Sequence, residues 1–358
     1  MFFGIPPMNK IYARECIHAI GGYTPGEQLT GRRIVKLNTN ENPYPPSPKV
    51  GEALHALDWE TLRLYPNPTG EALRKKAAEV FGVAANRILC GNGSDDLLTI
   101  ALRTFVGEGE AYAYPEPSYS LYPVLADLQG AIRRPFQLND SFELPDDVLS
   151  QAADAKLLML ARPNAPTGNA TPKARLHELC KQFPGVVWID EAYADFADDN
   201  CLNFVDEFPN VVVSRTFSKS YALAGLRLGL AFAQEHLIEE MLKLKDSYNT
   251  DRIAQALGEA ALGDQDWLHD TCAKVRATRA WTTDELLRRG WQVLPSQANF
   301  LLAKPAHRPA DELFAKLRER GLLVRYFALP RVDQFLRITI GTDDEMRELL
   351  NALAELDR

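Results

Sequence analysis

The sequence predicts an α/β fold: a mostly parallel sheet covered by helices on both faces, followed by a smaller α+β unit. Three observations carry this. Between residues 70 and 260, short apolar runs alternate with amphipathic stretches, the pattern of a parallel sheet buried on both sides. Polar, turn-rich clusters fall just after four of those runs. In the last hundred residues the alternation gives way to one long helical stretch and a few short strands. The 358 residues leave room for two or three domains. They divide into an N-terminal arm (1–45), a large domain (46–262) and a small C-terminal domain (263–358).

Taken in order, residues 36–48 (Lys-Leu-Asn-Thr-Asn-Glu-Asn-Pro-Tyr-Pro-Pro-Ser-Pro) are rich in turn formers and read as an ordered loop joining the arm to the body. The spacing of Leu73, Ala77 and Val80 predicts a helix over 71–81. A short strand follows at 88–90, then a helix over 95–105 with Leu97, Leu98, Ala101, Leu102 and Phe105 apolar. Strands are expected at 111–114 and 132–138 around a helix at 121–128. Further strands are expected at 157–161, 186–189, 211–214 and 228–233, with a helix at 174–183. The C-terminal part reads as a helix over 266–289, strands near 299–303 and 335–340, and helices at 310–320 and 343–353. Thr342 and Glu345 have capping-box spacing.

Composition narrows the function. Hydrophobic residues make up 46% and charged residues 25%, ordinary for a globular chain. With 40 Lys and Arg against 48 Asp and Glu, the net charge is −8. Such a chain has no general attraction for nucleic acid or anionic membrane, and no apolar run reaches the length of a membrane span. Residues 1–7 are too short and uncharged for a signal peptide. The cysteines Cys16, Cys90, Cys180, Cys201 and Cys272 are odd in number with no CxxC pair. They read as free buried thiols in a reducing cytoplasm. The histidines, among them His18, His55 and His307, form no HxH or HExxH pattern, and no metal site is expected.

The clusters after strands are Gly91-Asn92-Gly93-Ser94-Asp95, Pro163-Asn164-Ala165-Pro166-Thr167-Gly168, Asp190-Glu191-Ala192-Tyr193 and Ser214-Arg215-Thr216-Phe217-Ser218-Lys219. In open α/β sheets ligands bind outside the carboxyl ends of strands, so the four converge on one crevice. Singly, each has a plain reading. Ser94 or Asp95 caps a helix, residues 163–168 are a loop, Asp190 is paired or solvated, Lys219 is a surface lysine, and Arg227 is an ion-pair partner. Together they match one chemistry. Pyridoxal phosphate needs a lysine amine for a Schiff base and an acid beside its pyridine nitrogen. It also needs a phosphate cradle of helix-start amides, hydroxyls and an arginine, and an aromatic ring against its face.

At these residues the sequence resembles the fold-type-I pyridoxal-phosphate aminotransferases, and within them the histidinol-phosphate aminotransferase family. The resemblance runs over nearly the whole chain. Its strongest pieces are Leu37-Asn38-Thr39-Asn40-Glu41-Asn42-Pro43, Gly91–Asp95, Asp190–Tyr193, Arg215–Lys219 and Leu223-Ala224-Gly225-Leu226-Arg227-Leu228-Gly229. It implies a large domain with a mostly parallel seven-stranded sheet and a smaller α+β C-terminal domain. Lys219 is then the Schiff-base lysine, and Asp190 pairs with the pyridinium nitrogen. Tyr193 and Asn164 bond the ring's phenolic oxygen, and Tyr119 stacks on the ring. The amides of Ser94 and Asp95, with Thr216, Ser218 and Arg227, hold the phosphate. Tyr65 reaches the phosphate of the neighbouring subunit in a homodimer. Arg337 receives the substrate anion and Arg325 makes a second contact, joined by Tyr23, Asn40 and Tyr248. The implied substrates are histidinol phosphate and 2-oxoglutarate, giving glutamate, in histidine biosynthesis. One departure is Ala165, where the family usually has a second Asn in Pro-Asn-Asn-Pro-Thr-Gly. Three other readings stay open: an aromatic amino-acid aminotransferase, a threonine-phosphate decarboxylase, and a transcriptional regulator. The last needs an added DNA-binding module, and no spare basic segment is present to form one.

Overall fold

The apolar runs become strands where the sequence places them. The computed structural model describes residues 12, 17–18, 20, 22, 26–27 and 33–357. From the N-terminal side come β1 (Val35–Lys36), α1 (Pro48–Ala56), α2 (Glu71–Phe81), β2 (Ile88–Gly91) and α3 (Ser94–Phe105). Then follow β3 (Ala111–Glu116), α4 (Leu121–Gln129), β4 (Ile132–Gln137), α5 (Val148–Gln151), β5 (Ala155–Ala161), α6 (Lys173–Gln182) and β6 (Val186–Asp190). After α7 (Phe204–Glu207) come β7 (Val211–Thr216), β8 (Gly229–Ala233), α8 (Glu235–Leu244), α9 (Arg252–Leu262) and the 24-residue α10 (Gln265–Arg288). The chain ends with β9 (Gln292–Val293), β10 (Phe300–Lys304), α11 (Ala310–Glu319), β11 (Leu322–Leu323), β12 (Arg325–Tyr326), β13 (Leu336–Thr339) and α12 (Asp343–Leu356).

Seven strands form the large sheet in the order β2-β8-β7-β6-β5-β3-β4. The pairs from β7 to β4 are parallel, and β8 runs antiparallel to both β7 and β2. Along β5 to β7 the side chains alternate between two cores. Leu158, Leu160, Ile189 and Val213 face one, while Leu157, Met159, Trp188 and Val212 face the other. Burial on both faces is why these strands read as unbroken apolar runs; each buried aliphatic side chain contributes about 1.5–3 kcal/mol. β2, β5, β6 and β7 all end on the same edge, so the four polar clusters leave the sheet side by side.

The second sheet is antiparallel, in the order β12-β13-β10-β9. Residues of the arm complete this region. Val35 pairs in parallel with Leu322, and the Thr339 amide donates to the Leu37 carbonyl at 3.0 Å. The capping box of Thr342 and Glu345 starts α12 as its spacing predicts. Helices α1, α5, α7, α8 and α9 are additions to the sequence reading. Cys90, Cys180, Cys201 and Cys272 are free and buried, and Cys16 lies outside the described residues. Among the described residues no helix is long and apolar enough to cross a membrane.

Candidate active site

A cavity of about 520 Å³ opens between the carboxyl edge of the large sheet and the second sheet. Lys219 lines it, in the turn after β7. Asn42 Nδ2 donates to the Lys219 and Ser220 carbonyls at 3.2 and 3.0 Å, holding that turn to the arm loop. The Lys219 Nζ donates to the Thr39 carbonyl at 3.1 Å and stands 5.9 Å from the Tyr193 ring centre. Burial brings this amine down to about 8, and the positive charge of Arg337 adds to the effect. Glu41 and Asp95 oppose it.

Asp190 ends β6 and is buried. Its Oδ1 accepts from Ser214 Oγ at 3.2 Å and its Oδ2 from Tyr122 Oη at 3.3 Å. Burial pushes its carboxyl up to about 6; the hydrogen bond from Ser214 opposes the shift and the negative charge of Asp95 adds to it.

The third group surrounds the start of α3. Its N-cap is Gly93, and no side chain caps the helix, contrary to the plain reading of Ser94 or Asp95 as a cap. Asp95 instead receives Tyr119 Oη at 3.0 Å and lies 3.4 Å from Arg227 Nη2. Arg227 Nη1 donates to Ser218 Oγ at 3.2 Å, and the Ser218 amide to Thr216 Oγ1 at 3.2 Å. Gly93 has φ +89°, and a Cβ there would meet Arg227 Nη2 at 2.6 Å. One on Gly229 would meet the Ser94 nitrogen at 2.9 Å. Both glycines let an uncapped helix start, an arginine and two hydroxyls share one space, which suits a phosphate. With Lys219 and Asp190 beside it, the donor set fits pyridoxal phosphate.

The opposite wall comes from the second sheet. Arg325 and Arg337 are direct cross-strand partners in β12 and β13, and both line the cavity. Both guanidinium groups lie over the Phe327 ring, at 5.4 and 5.3 Å, and Arg337 also stands 5.4 Å from the Phe300 ring. Arg337 Nη2 donates to the Asn38 carbonyl at 2.9 Å. Like charges directly opposite on a sheet repel, and a bound anion would offset that cost.

The other expected residues divide. Asn40 and Tyr193 line the cavity, with Asn40 Nδ2 donating to Tyr193 Oη at 2.9 Å and Asn40 Oδ1 receiving Thr339 Oγ1 at 3.1 Å. Asn164 departs from its expected place facing the ring. It lies behind the cavity, where Nδ2 donates to the Pro117 carbonyl and to Thr167 Oγ1 and Oδ1 accepts from Ser118. Ala165, by contrast, lines the cavity. Tyr65 and Tyr248 lie outside this cavity in the single chain, stacked on each other with ring centres 4.4 Å apart and exposed at 77% and 44%. Tyr23 lies outside the described residues. Sequence reasoning missed Ser214, Tyr122, the Thr39 carbonyl and Phe327. Of these, Ser214 and Thr39 sit inside motifs already singled out, so their position was a usable signal. Among the described residues no group of three or more His, Cys, Asp or Glu side chains is placed to hold a metal ion.

The profile of the family described as aminotransferase class I and II matches residues 32–353. A histidinol-phosphate aminotransferase from Rippkaea orientalis is 47% identical over 96% of this chain and 98% of its own length. One from Citrifermentans bemidjiense is 46% identical over 97% and 99%. The crystal structure of histidinol-phosphate aminotransferase from Sinorhizobium meliloti in complex with pyridoxal-5'-phosphate superposes with a TM-score of 0.88 at 25% identity, covering 97% of this chain and 98% of that one. On that likeness and on the site built above, the chain belongs to the class I and II aminotransferases, within the histidinol-phosphate aminotransferase family.

Proposed function

We propose that the chain is a pyridoxal-phosphate-dependent enzyme that moves the amino group of histidinol phosphate to 2-oxoglutarate, as a cytoplasmic step of histidine biosynthesis. The observation that carries this is the arginine pair of β12 and β13 lining the same cavity as Lys219 and Asp190. Both substrates are anions, a phosphate monoester and a dicarboxylate, and the planar guanidinium fork binds either.

When bound, the cofactor supplies an electron sink for the charge that develops at the substrate Cα. The chain's residues do the rest. The Ser94 and Asp95 amides, Thr216, Ser218 and Arg227 would hold the phosphate, and Asp190 the ring nitrogen. Tyr119 would cover the ring, and Tyr193 would serve the ring oxygen side. Lys219 Nζ, brought down to about 8, is a free amine in a useful fraction near neutral pH and takes the proton from Cα. Arg337 and Arg325 orient the substrate through its anionic end.

The division into an arm (1–45), a large (46–262) and a small domain (263–358) belongs to this proposal and is supported by the separation of the seven-stranded sheet from the four-stranded one. So does a homodimer, in which Tyr65 serves the partner's phosphate site. The exposed Trp59, Leu62, Leu64 and stacked Tyr65 support it, since a two-fold contact uses one patch on both subunits. Mixing Lys219→Ala with Tyr65→Phe chains should regenerate one intact site per mixed dimer. Activity above the sum of the parents is expected; activity no higher counts against a shared site.

The substrate is tested by steady-state turnover of histidinol phosphate beside phenylalanine, tyrosine and threonine phosphate. Histidinol phosphate should lead. Faster turnover of an aromatic amino acid would overturn the substrate, and carbon dioxide release without an oxo acid acceptor would overturn the reaction.

A further inference from the structure

We infer that Trp188, Ser214 and Tyr122 are positioning residues that keep Asp190 an anion in its buried setting, so that its carboxylate holds a proton on the cofactor's ring nitrogen. The inference rests on the reading of Asp190 given above.

Trp188, Ser214 and Tyr122 come from β6, β7 and α4, and all three side chains are buried. Trp188 Nε1 donates to Ser214 Oγ at 2.9 Å. An indole N–H can only donate, and a serine hydroxyl carries a single proton. With the indole occupying one lone pair, the Ser214 proton is left for Asp190 Oδ1, 3.2 Å away. Trp188 thus fixes which way Ser214 points. Tyr122 Oη supplies the second O–H, to Oδ2 at 3.3 Å. Burial holds the Tyr122 phenol well above its ordinary range, so it stays a donor. The Ala192 backbone N–H also acts to lower the Asp190 carboxyl. A carboxylate offers about four acceptor positions; the two hydroxyls fill one on each oxygen, which leaves capacity for a partner in the cavity that Asp190 lines.

The need for such support is plain from the surroundings. Burial favours the neutral acid, and the Asp95 carboxylate on α3 pushes the same way; Tyr112 on β3 is another titratable neighbour. Each O–H donated to the carboxylate offsets part of that cost. If the indole alone needed a partner, Ser214 would satisfy it without a second bond aimed at Asp190. The geometry gives the hydroxyl both bonds.

The test uses the holoenzyme loaded with pyridoxal phosphate carrying a magnetic isotope at its ring nitrogen. The variants are Ser214→Ala, Trp188→Phe, the pair together, Tyr122→Phe and Asp190→Asn. Ser214→Ala should move the nitrogen resonance toward its unprotonated position and lower kcat by about tenfold, with KM within about twofold, as loss of one charge-assisted hydrogen bond implies. Trp188→Phe should shift the resonance less, in the same direction, and add nothing in the Ser214→Ala background. Tyr122→Phe should shift it independently and decides the matter if the tryptophan variant does not fold. The inference falls if Ser214→Ala and Tyr122→Phe leave resonance and kcat unmoved while Asp190→Asn moves both. It also falls if Trp188→Phe acts as strongly with Ser214→Ala as without it. An unmoved resonance in Asp190→Asn would instead overturn the role of Asp190 itself.

Discussion

On the large-sheet wall of the cavity, Asp190 and Lys219 sit at or just beyond strand ends, each held by named hydrogen bonds. On the wall from the second sheet, Arg325 and Arg337 sit within strands, directly opposite one another. The first pair is desolvated until both groups lose their charge more readily, the acid rising to about 6 and the amine falling to about 8. The second pair offers planar guanidinium forks that suit phosphate and carboxylate oxygens. Groups that exchange protons are thus placed where burial tunes them, and groups that only attract are placed across the cavity from them.

Several changes would break or sharpen that contrast. Lys219→Ala should abolish transamination, because no other lysine lines the cavity among the described residues. Borohydride reduction of the unmodified holoenzyme should label Lys219, and a label on another lysine would undo the assignment of that wall. Asp190→Ala should lower kcat by about 100- to 1000-fold, as removal of a preorganised charge contact does, with an unchanged circular dichroism spectrum. A near-normal rate would make Asp190 structural. On the opposite wall the effects should be smaller and lie in substrate capture. Arg337→Ala should cost about 10- to 100-fold in kcat/KM with both substrates. Arg325→Ala should cost less, and more with histidinol phosphate than with 2-oxoglutarate. Single-turnover kinetics with each substrate separates the two.

The smallest effect concerns stability. Between about 8 and the ordinary lysine value of 10.5, the unfolded chain keeps a proton on Lys219 that the cofactor-free native protein has lost. Stability should therefore rise with pH across that interval, by an amount on the order of 1–3 kcal/mol. Lys219→Met should remove that part of the rise, read as the difference between urea midpoints of the two proteins. Identical pH profiles would show that the amine is not desolvated.

The large-sheet wall was legible in the sequence because each cluster is local: a strand end, a turn and a helix start lie within six residues or so. Lys219, Asp190, Ser94, Thr216, Ser218 and Arg227 all line one cavity. What escaped depends on register and distance. Nothing in a two-residue strand such as β12 carries a period, so the pairing of Arg325 with Arg337 was invisible although each arginine was named. Asn164 was read from its motif, but its amide is spent on neighbouring loop groups. Tyr122 and Trp188 look like ordinary core aromatics along the chain, and only cross-element packing brings them to Asp190. Helix α9 carries Gly258 in its middle, which weakens a helical pattern. The residue is there because a Cβ would meet Leu228 Cδ2 at 2.3 Å.

The pairing of Val35 with Leu322 also bears on how the molecule is made. The ribosome delivers Val35 long before Leu322. The Thr39 carbonyl that receives Lys219 is anchored through Leu37 to Leu323 and Thr339, so it has no fixed position while those residues are still untranslated. A nascent chain can build the parallel sheet and present its lysine early, yet the pocket around that lysine closes only when these distant segments meet. Contacts so far apart in sequence form late and slowly in folding, so the pocket is completed after the sheet that carries its lysine.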